Sequence, residues 1–186
     1  MSHGDSEGQI IGYGWNDRLN VIKWAEMLVE QNSDSEITLF GVSMGGATVM
    51  MASGEETLPK QVVNIVEDCG YSSVWDELKY QAKAMYNLPA FPILYEVSAV
   101  SKVRAGFSYG QASCVKQLKN NTRPILFIHG SEDKFVPTSM VYKNYRATNS
   151  EKDLYIAKGA AHAKSFESDP KTYIEKISAF LQKNEK

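Results

Sequence analysis

The sequence predicts an α/β fold of about four parallel strands with flanking helices. Three observations carry this expectation. Short apolar runs rich in β-branched residues recur at 37–42, 62–66, 124–128 and 154–157. Their apolarity is nearly continuous rather than alternating, which is the pattern of strands covered on both faces and so of a parallel sheet. Helical periodicity fills intervals between them, and strand–helix–strand order implies right-handed crossovers.

Taken along the chain, Trp15, Leu19, Ile22, Ala25 and Val29 form one stripe of an amphipathic helix. The first strand, Ile37-Thr38-Leu39-Phe40-Gly41-Val42, runs into a helix over 44–53 that opens on Gly45 and Gly46. The second strand covers 62–66. The interval from Tyr71 to Arg123 is too long for one crossover helix and predicts two or three, at 72–86, 92–103 and 112–118, with breaks near Pro89, Pro92 and Gly106. Its large side chains, among them Trp75, Tyr80, Met85, Phe91, Tyr95 and Phe107, read as a packed helical excursion, and a cap-like insertion at about 71–122 lining a substrate pocket is compatible with it. After the strands at 124–128 and 154–157, Tyr173, Ile174, Ile177, Phe180 and Leu181 mark a closing helix, with Asp169 and Pro170 suited to its first turn.

Composition narrows the function. The 186 residues read as one domain, and 43% hydrophobic and 23% charged residues are ordinary for a globular protein. The 20 basic and 22 acidic side chains give a net charge of −2, which offers no basic field for nucleic acid. No apolar run is long enough to span a bilayer and no signal pattern opens the chain, so a cytoplasmic location is expected of the chain as written. Two cysteines, Cys69 and Cys114, form no disulfide framework, and His3, His129 and His162 are too scattered for a zinc site. No cofactor or metal is expected.

Gly41-Val42-Ser43-Met44-Gly45 matches G-x-S-x-G where a predicted strand meets a predicted helix, the setting of a nucleophile elbow. Flanking glycines allow close backbone approach, and the helix N-terminus, beginning with the Met44 N–H, suits a developing oxyanion. A serine nucleophile needs a base, and the base an orienting acid, in the order Ser, acid, His for this elbow. His129-Gly130-Ser131-Glu132-Asp133 follows the third strand and Gly159-Ala160-Ala161-His162 the fourth. Both lie just beyond strand C-termini, where open α/β sheets place their sites. His162 is the candidate base. Asp133 is the candidate acid, with Glu132 beside it and Asp68 after the second strand as competitors.

These motifs together resemble the α/β-hydrolases, and within them the serine-aminopeptidase-like (S33-type) branch. The resemblance rests on Gly41–Gly46, on Phe127-Ile128-His129-Gly130-Ser131-Glu132-Asp133 with Val136-Pro137, on the loop ending at His162, and on Ser2–Gly8 with Gly12–Arg18. It selects Asp133 over Glu132. It implies a serine hydrolase that cleaves an ester, thioester or amide, with Ser43 as nucleophile, His162 as base and then acid, Asp133 as orienter and the Met44 N–H in the oxyanion hole.

Only 42 residues precede Ser43, whereas the resemblance implies four further strands upstream. The chain therefore reads as the C-terminal part of such a hydrolase, lacking the loop that supplies the second oxyanion donor. A longer natural chain with an N-terminal anchor would be extracytoplasmic. The strand at 37–42 is expected to have one bare edge and to self-associate through it. A rival expectation is a catalytically silent fragment that acts, if at all, by association. A third, chemistry at Cys69, is weaker, because a lone cysteine at a strand end is commonly buried filler.

Overall fold

The computed structural model describes residues 4–184; of the segments above, Ser2 and His3 lie outside the described residues. Four parallel strands form one sheet in the order β1 (Ile37–Val42), β2 (Val62–Asp68), β3 (Ile125–Gly130) and β4 (Lys152–Ala157). The α/β class, the four strands and the flanking helices thus stand as the sequence implies. In this parallel arrangement every strand C-terminus lies on one side, and the loops after β1, β3 and β4 converge there.

Helix α1 (Asp17–Gln31) and helix α2 (Met44–Ser53) pack on one face of the sheet. Gly46 through Ser53 are all buried, so α2 is a core helix enclosed by protein. The interval after β2 folds into α3 (Val74–Tyr86), α4 (Ile93–Ala105) and α5 (Cys114–Leu118), as the proline and glycine breaks predict. Ser73 caps α3 by accepting the Asp76 N–H, and Asn87 ends it in the left-handed region. Leu94, Phe107, Tyr109, Ala112 and Leu118 tie this stretch into the main core with Met50, Ile65 and Phe127. The opposite face is covered by α8 (Pro170–Lys183), whose Tyr173 and Phe180 pack on Val66, Leu126 and Ile128. Asp169 caps α8 and Pro170 opens it.

Three differences from the sequence reading have physical causes. Helix α6 (Ser139–Ala147), between β3 and β4, has too short an apolar pattern to stand out, because one of its three buried residues is Asn144 beside Met140 and Val141. The stripe on α1 is only partly covered: Ile22 and Ala25 are buried while Leu19 is exposed, since α1 meets its neighbours along a narrow line. The expectation that every strand is covered on both faces fails at β1. Phe40 is 51% and Val42 39% exposed. They pair in register with Val66 and Asp68 and so share the face that α8 covers, but β1 is the edge strand and lies beyond the reach of α8.

Candidate active site

The turn from β1 into α2 places Ser43 in an unusual backbone conformation, φ 57° and ψ −117°. Two hydrogen bonds hold it: the Ser43 N–H donates to Asp68 O at 2.8 Å, and the Ala47 N–H donates to Ser43 O at 3.0 Å. Gly41 makes the turn sterically feasible, because a Cβ there would stand 2.2 Å from Gly45 O. Met44 is the first residue of α2, so its N–H has no acceptor within the helix.

The loops after β3 and β4 bring two more predicted residues to Ser43. Ser43 Oγ donates to His162 Nε2 at 2.8 Å, and His162 Nδ1 donates to Asp133 Oδ2 at 2.8 Å. Ser43 and His162 are half-buried and Asp133 is buried. Gly130 lets the two loops meet, since a Cβ there would lie 2.3 Å from Ala160 O. The Gly159 N–H donates to Ser131 Oγ and the Glu132 N–H to Ala160 O, which fixes one loop against the other.

Asp133 is heavily tied down. Its Oδ1 accepts the N–H groups of Phe135 and Val136, both at 2.9 Å. Its Oδ2 also lies 3.3 Å from Nε2 of the fully buried His129, which donates to Val136 O at 2.9 Å. Burial favours the neutral acid, but hydrogen bonds from His129, His162 and Val136 and the charge of His162 outweigh it and hold Asp133 well below the usual carboxylate range. An ionised Asp133 fixes the His162 tautomer with its proton on Nδ1 and leaves Nε2 free to accept.

The competing acids serve elsewhere. Glu132 is exposed. Asp68 is buried and accepts from Ser165 Oγ at 2.9 Å and Tyr173 OH at 3.0 Å, tying α8 and α7 (Ser165–Ser168) to the end of β2. Cys69 Sγ falls within 4.8 Å of ligand atoms on Asp133 and His162. It makes a poor metal site, because burial and the neighbouring Asp68 push the thiol pKa far up, and the Asp133 and His162 atoms are already bonded to each other.

A pocket of ≈ 190 Å³ opens beside Ser43, walled by Tyr13, Met44, Tyr71, Val136 and the α3 row Val74, Glu77, Leu78 and Gln81. Larger depressions, such as one of ≈ 530 Å³ beside α1, contain none of Ser43, Asp133 and His162. Phe135 packs against the His162 ring at 4.9 Å between centroids. Sequence reasoning missed His129, Phe135, Glu77 and Gln81. The signal for the last two was present, since Val74, Glu77, Leu78 and Gln81 fall at i, i+3, i+4 and i+7 and place an acid and an amide on one helix face with Val74 and Leu78.

The prolyl oligopeptidase family model matches residues 12–186. The chain belongs to this family. The α/β-hydrolase superfamily implied by the motifs therefore holds, and the family matched is prolyl oligopeptidase, where the motifs alone resemble the serine-aminopeptidase branch. The chain is 29% identical over 180 residues to the uncharacterized Bacillus subtilis protein YqkD, covering 96% of this chain and 59% of that protein. It thus spans about three-fifths of the length of that curated relative. Among solved structures, the fold is similar to the Pyrococcus furiosus esterase Pf2001 (TM-score 0.73, 20% identity, 98% of this chain and 68% of that one). It is also similar to the Pyrococcus horikoshii acylaminoacyl peptidase (TM-score 0.67, 20% identity, 91% of this chain and 27% of that one). A bromoperoxidase from Bacillus anthracis shares the fold as well (TM-score 0.63, 18% identity, 96% and 78%). Among the described residues no helix is long and apolar enough to cross a membrane.

Proposed function

We propose that this member of the prolyl oligopeptidase family is a serine hydrolase that cleaves an ester, thioester or amide through an acyl-enzyme. The observation that carries the reading is the relay of two 2.8 Å hydrogen bonds from Ser43 through His162 to Asp133, with Ser43 on a strand-to-helix turn at positive φ. In this reading Ser43 Oγ attacks the carbonyl carbon while its proton passes to His162 Nε2. The carbonyl electron pair moves onto oxygen, where the Met44 N–H and the positive end of α2 stabilise it. Collapse expels the alcohol, thiol or amine, which takes the proton from His162. Water then attacks the acyl group, His162 takes its proton and returns it to Ser43 Oγ, and the acid leaves. Asp133 stays ionised throughout, held by the Phe135 and Val136 N–H groups on Oδ1 and by His162 on Oδ2. Helices α3 to α5 act as the cap, with α3 forming one wall of the pocket beside Ser43.

A second reading has its own observation. The open edge of β1, with Phe40 51% exposed, favours association without turnover. A fluorophosphonate probe separates the two. The hydrolase reading expects covalent labelling of the folded protein and its loss in Ser43→Ala. Labelling that survives Ser43→Ala assigns another nucleophile, and a cooperatively folded but unlabelled protein leaves the association reading.

A further inference from the structure

We propose that Glu77 selects the substrate group that fills the pocket beside Ser43, and that this group ends in an ammonium. The inference deepens the serine-hydrolase reading of that site and rests on it.

The pocket is apolar on nearly every side: Met44, Val74, Leu78 and Val136 contribute hydrocarbon, and the Tyr71 hydroxyl is committed to Tyr13 O at 2.9 Å. Glu77 breaks that pattern. It is 8% exposed, and its two oxygens differ. Oε1 accepts Gln81 Nε2 at 2.8 Å, and the same nitrogen donates to Phe135 O at 2.8 Å, so the carboxyl is anchored to the loop that carries Asp133 and packs on His162. Oε2 is buried and has no hydrogen-bond partner among the described residues. A buried carboxylate oxygen left without a donor is costly, and the large majority of buried side-chain polar atoms in native proteins have a partner. Glu77 lines the pocket, and a turn of its side chain would bring the covered Oε2 to a bound substrate, which can supply that partner.

The size of the pocket limits that partner. At ≈ 190 Å³ it is smaller than the roughly 300–1,000 Å³ of sites for drug-sized ligands, and it suits one amino-acid side chain or a short acyl chain. A chain with a methylene stem and a terminal ammonium satisfies both features: the stem meets the apolar walls and the ammonium donates to Oε2. The carboxyl is poised for this. Burial first, and the Asp133 charge as well, raise it to about 7 against the opposing influence of Gln81, His162 and His129, so an incoming cation would draw it into the ionised form.

The test uses matched ester pairs whose chains differ only in a terminal ammonium or methyl. The acyl pair is 4-nitrophenyl 6-aminohexanoate and heptanoate, and the alcohol pair is the acetates of 6-aminohexanol and heptanol. For the purified chain, the ratio of kcat/KM for the ammonium member over the methyl member is expected to exceed that of Glu77→Gln by tenfold or more in one pair. Glu77→Asp, which keeps the charge, should retain part of that preference. Equal ratios in wild type and Glu77→Gln for both pairs would overturn the proposal while leaving the hydrolase reading intact. No turnover of either methyl ester, together with no fluorophosphonate labelling at Ser43, would overturn both.

Discussion

Replacing Glu77 with Gln should stabilise the protein in alkaline solution and not in acid. A glutamate in the unfolded chain ionises near 4.5, whereas burial raises Glu77 to about 7. Between those values the folded chain holds a proton that the unfolded chain has released. Folding stability therefore falls as pH rises through this window, because the native state binds more protons there. The separation of about 2.5 pH units corresponds to at most about 3.5 kcal/mol at roughly 1.4 kcal/mol per unit, of which the part below pH 5 is already lost. Glu77 is 8% exposed, so solvent screens little of this. Such a penalty is a large share of the roughly 5–15 kcal/mol stability of a typical domain. Gln removes the ionisation and keeps an acceptor for Gln81. Glu67, Asp68 and Asp133 also have displaced ionisation, but they are common to both proteins and cancel in the difference. Urea denaturation of wild type and variant at about pH 5 and pH 8.5, at one ionic strength, measures it. The stability difference should move by about 3 kcal/mol in favour of Gln between the two conditions. A difference that does not change with pH would show that Glu77 is solvated in the folded chain, and the pocket argument would lose its basis.

Two other perturbations follow from the geometry. Asp133→Asn would set an amide N–H₂ against Nδ1 of His162, which favours the tautomer with the proton on Nε2 and removes the acceptor for Ser43. Steady-state ester hydrolysis should show kcat lower by about 10³- to 10⁴-fold, and a loss below tenfold would refute that role for Asp133. Phe40→Lys places a charge on the exposed face of the edge strand β1, where Phe40 is 51% uncovered. Sedimentation at micromolar concentrations should show self-associated wild type and a shift towards monomer in the variant. Monomeric wild type would remove the association reading.

Local signals made the turn at Ser43 legible. Gly41 and Ser43 sit at the junction of a β-branched run and a glycine-led helix, and the steric requirement at Gly41 is a property of that turn alone. The closing helix was equally plain from Asp169, Pro170 and its apolar spacing. The choice of Asp133 over Glu132 was not local. Neighbouring residues in a loop point different ways, and here Asp133 turns inward because its Oδ1 accepts the Phe135 and Val136 N–H groups while Glu132 stays at the surface. Helix α6 escaped notice because Asn144 occupies a core position that periodicity assigns to an apolar residue.

The sequence by itself determined the class of the fold, the turn at Ser43 and the chain order of a serine, an acid and a histidine at strand ends. Those features rest on backbone sterics, hydrophobic periodicity and side-chain chemistry, which act over a few residues. Only the tertiary structure decided that Ser43 meets His162 across 119 positions of chain and that the buried His129 comes within 3.3 Å of Asp133 Oδ2. It alone left β1 at the bare edge of the sheet and enclosed Glu77 without a donor for Oε2. The reason is that desolvation and pairing depend on which elements pack together, and strand order and loop convergence set that packing.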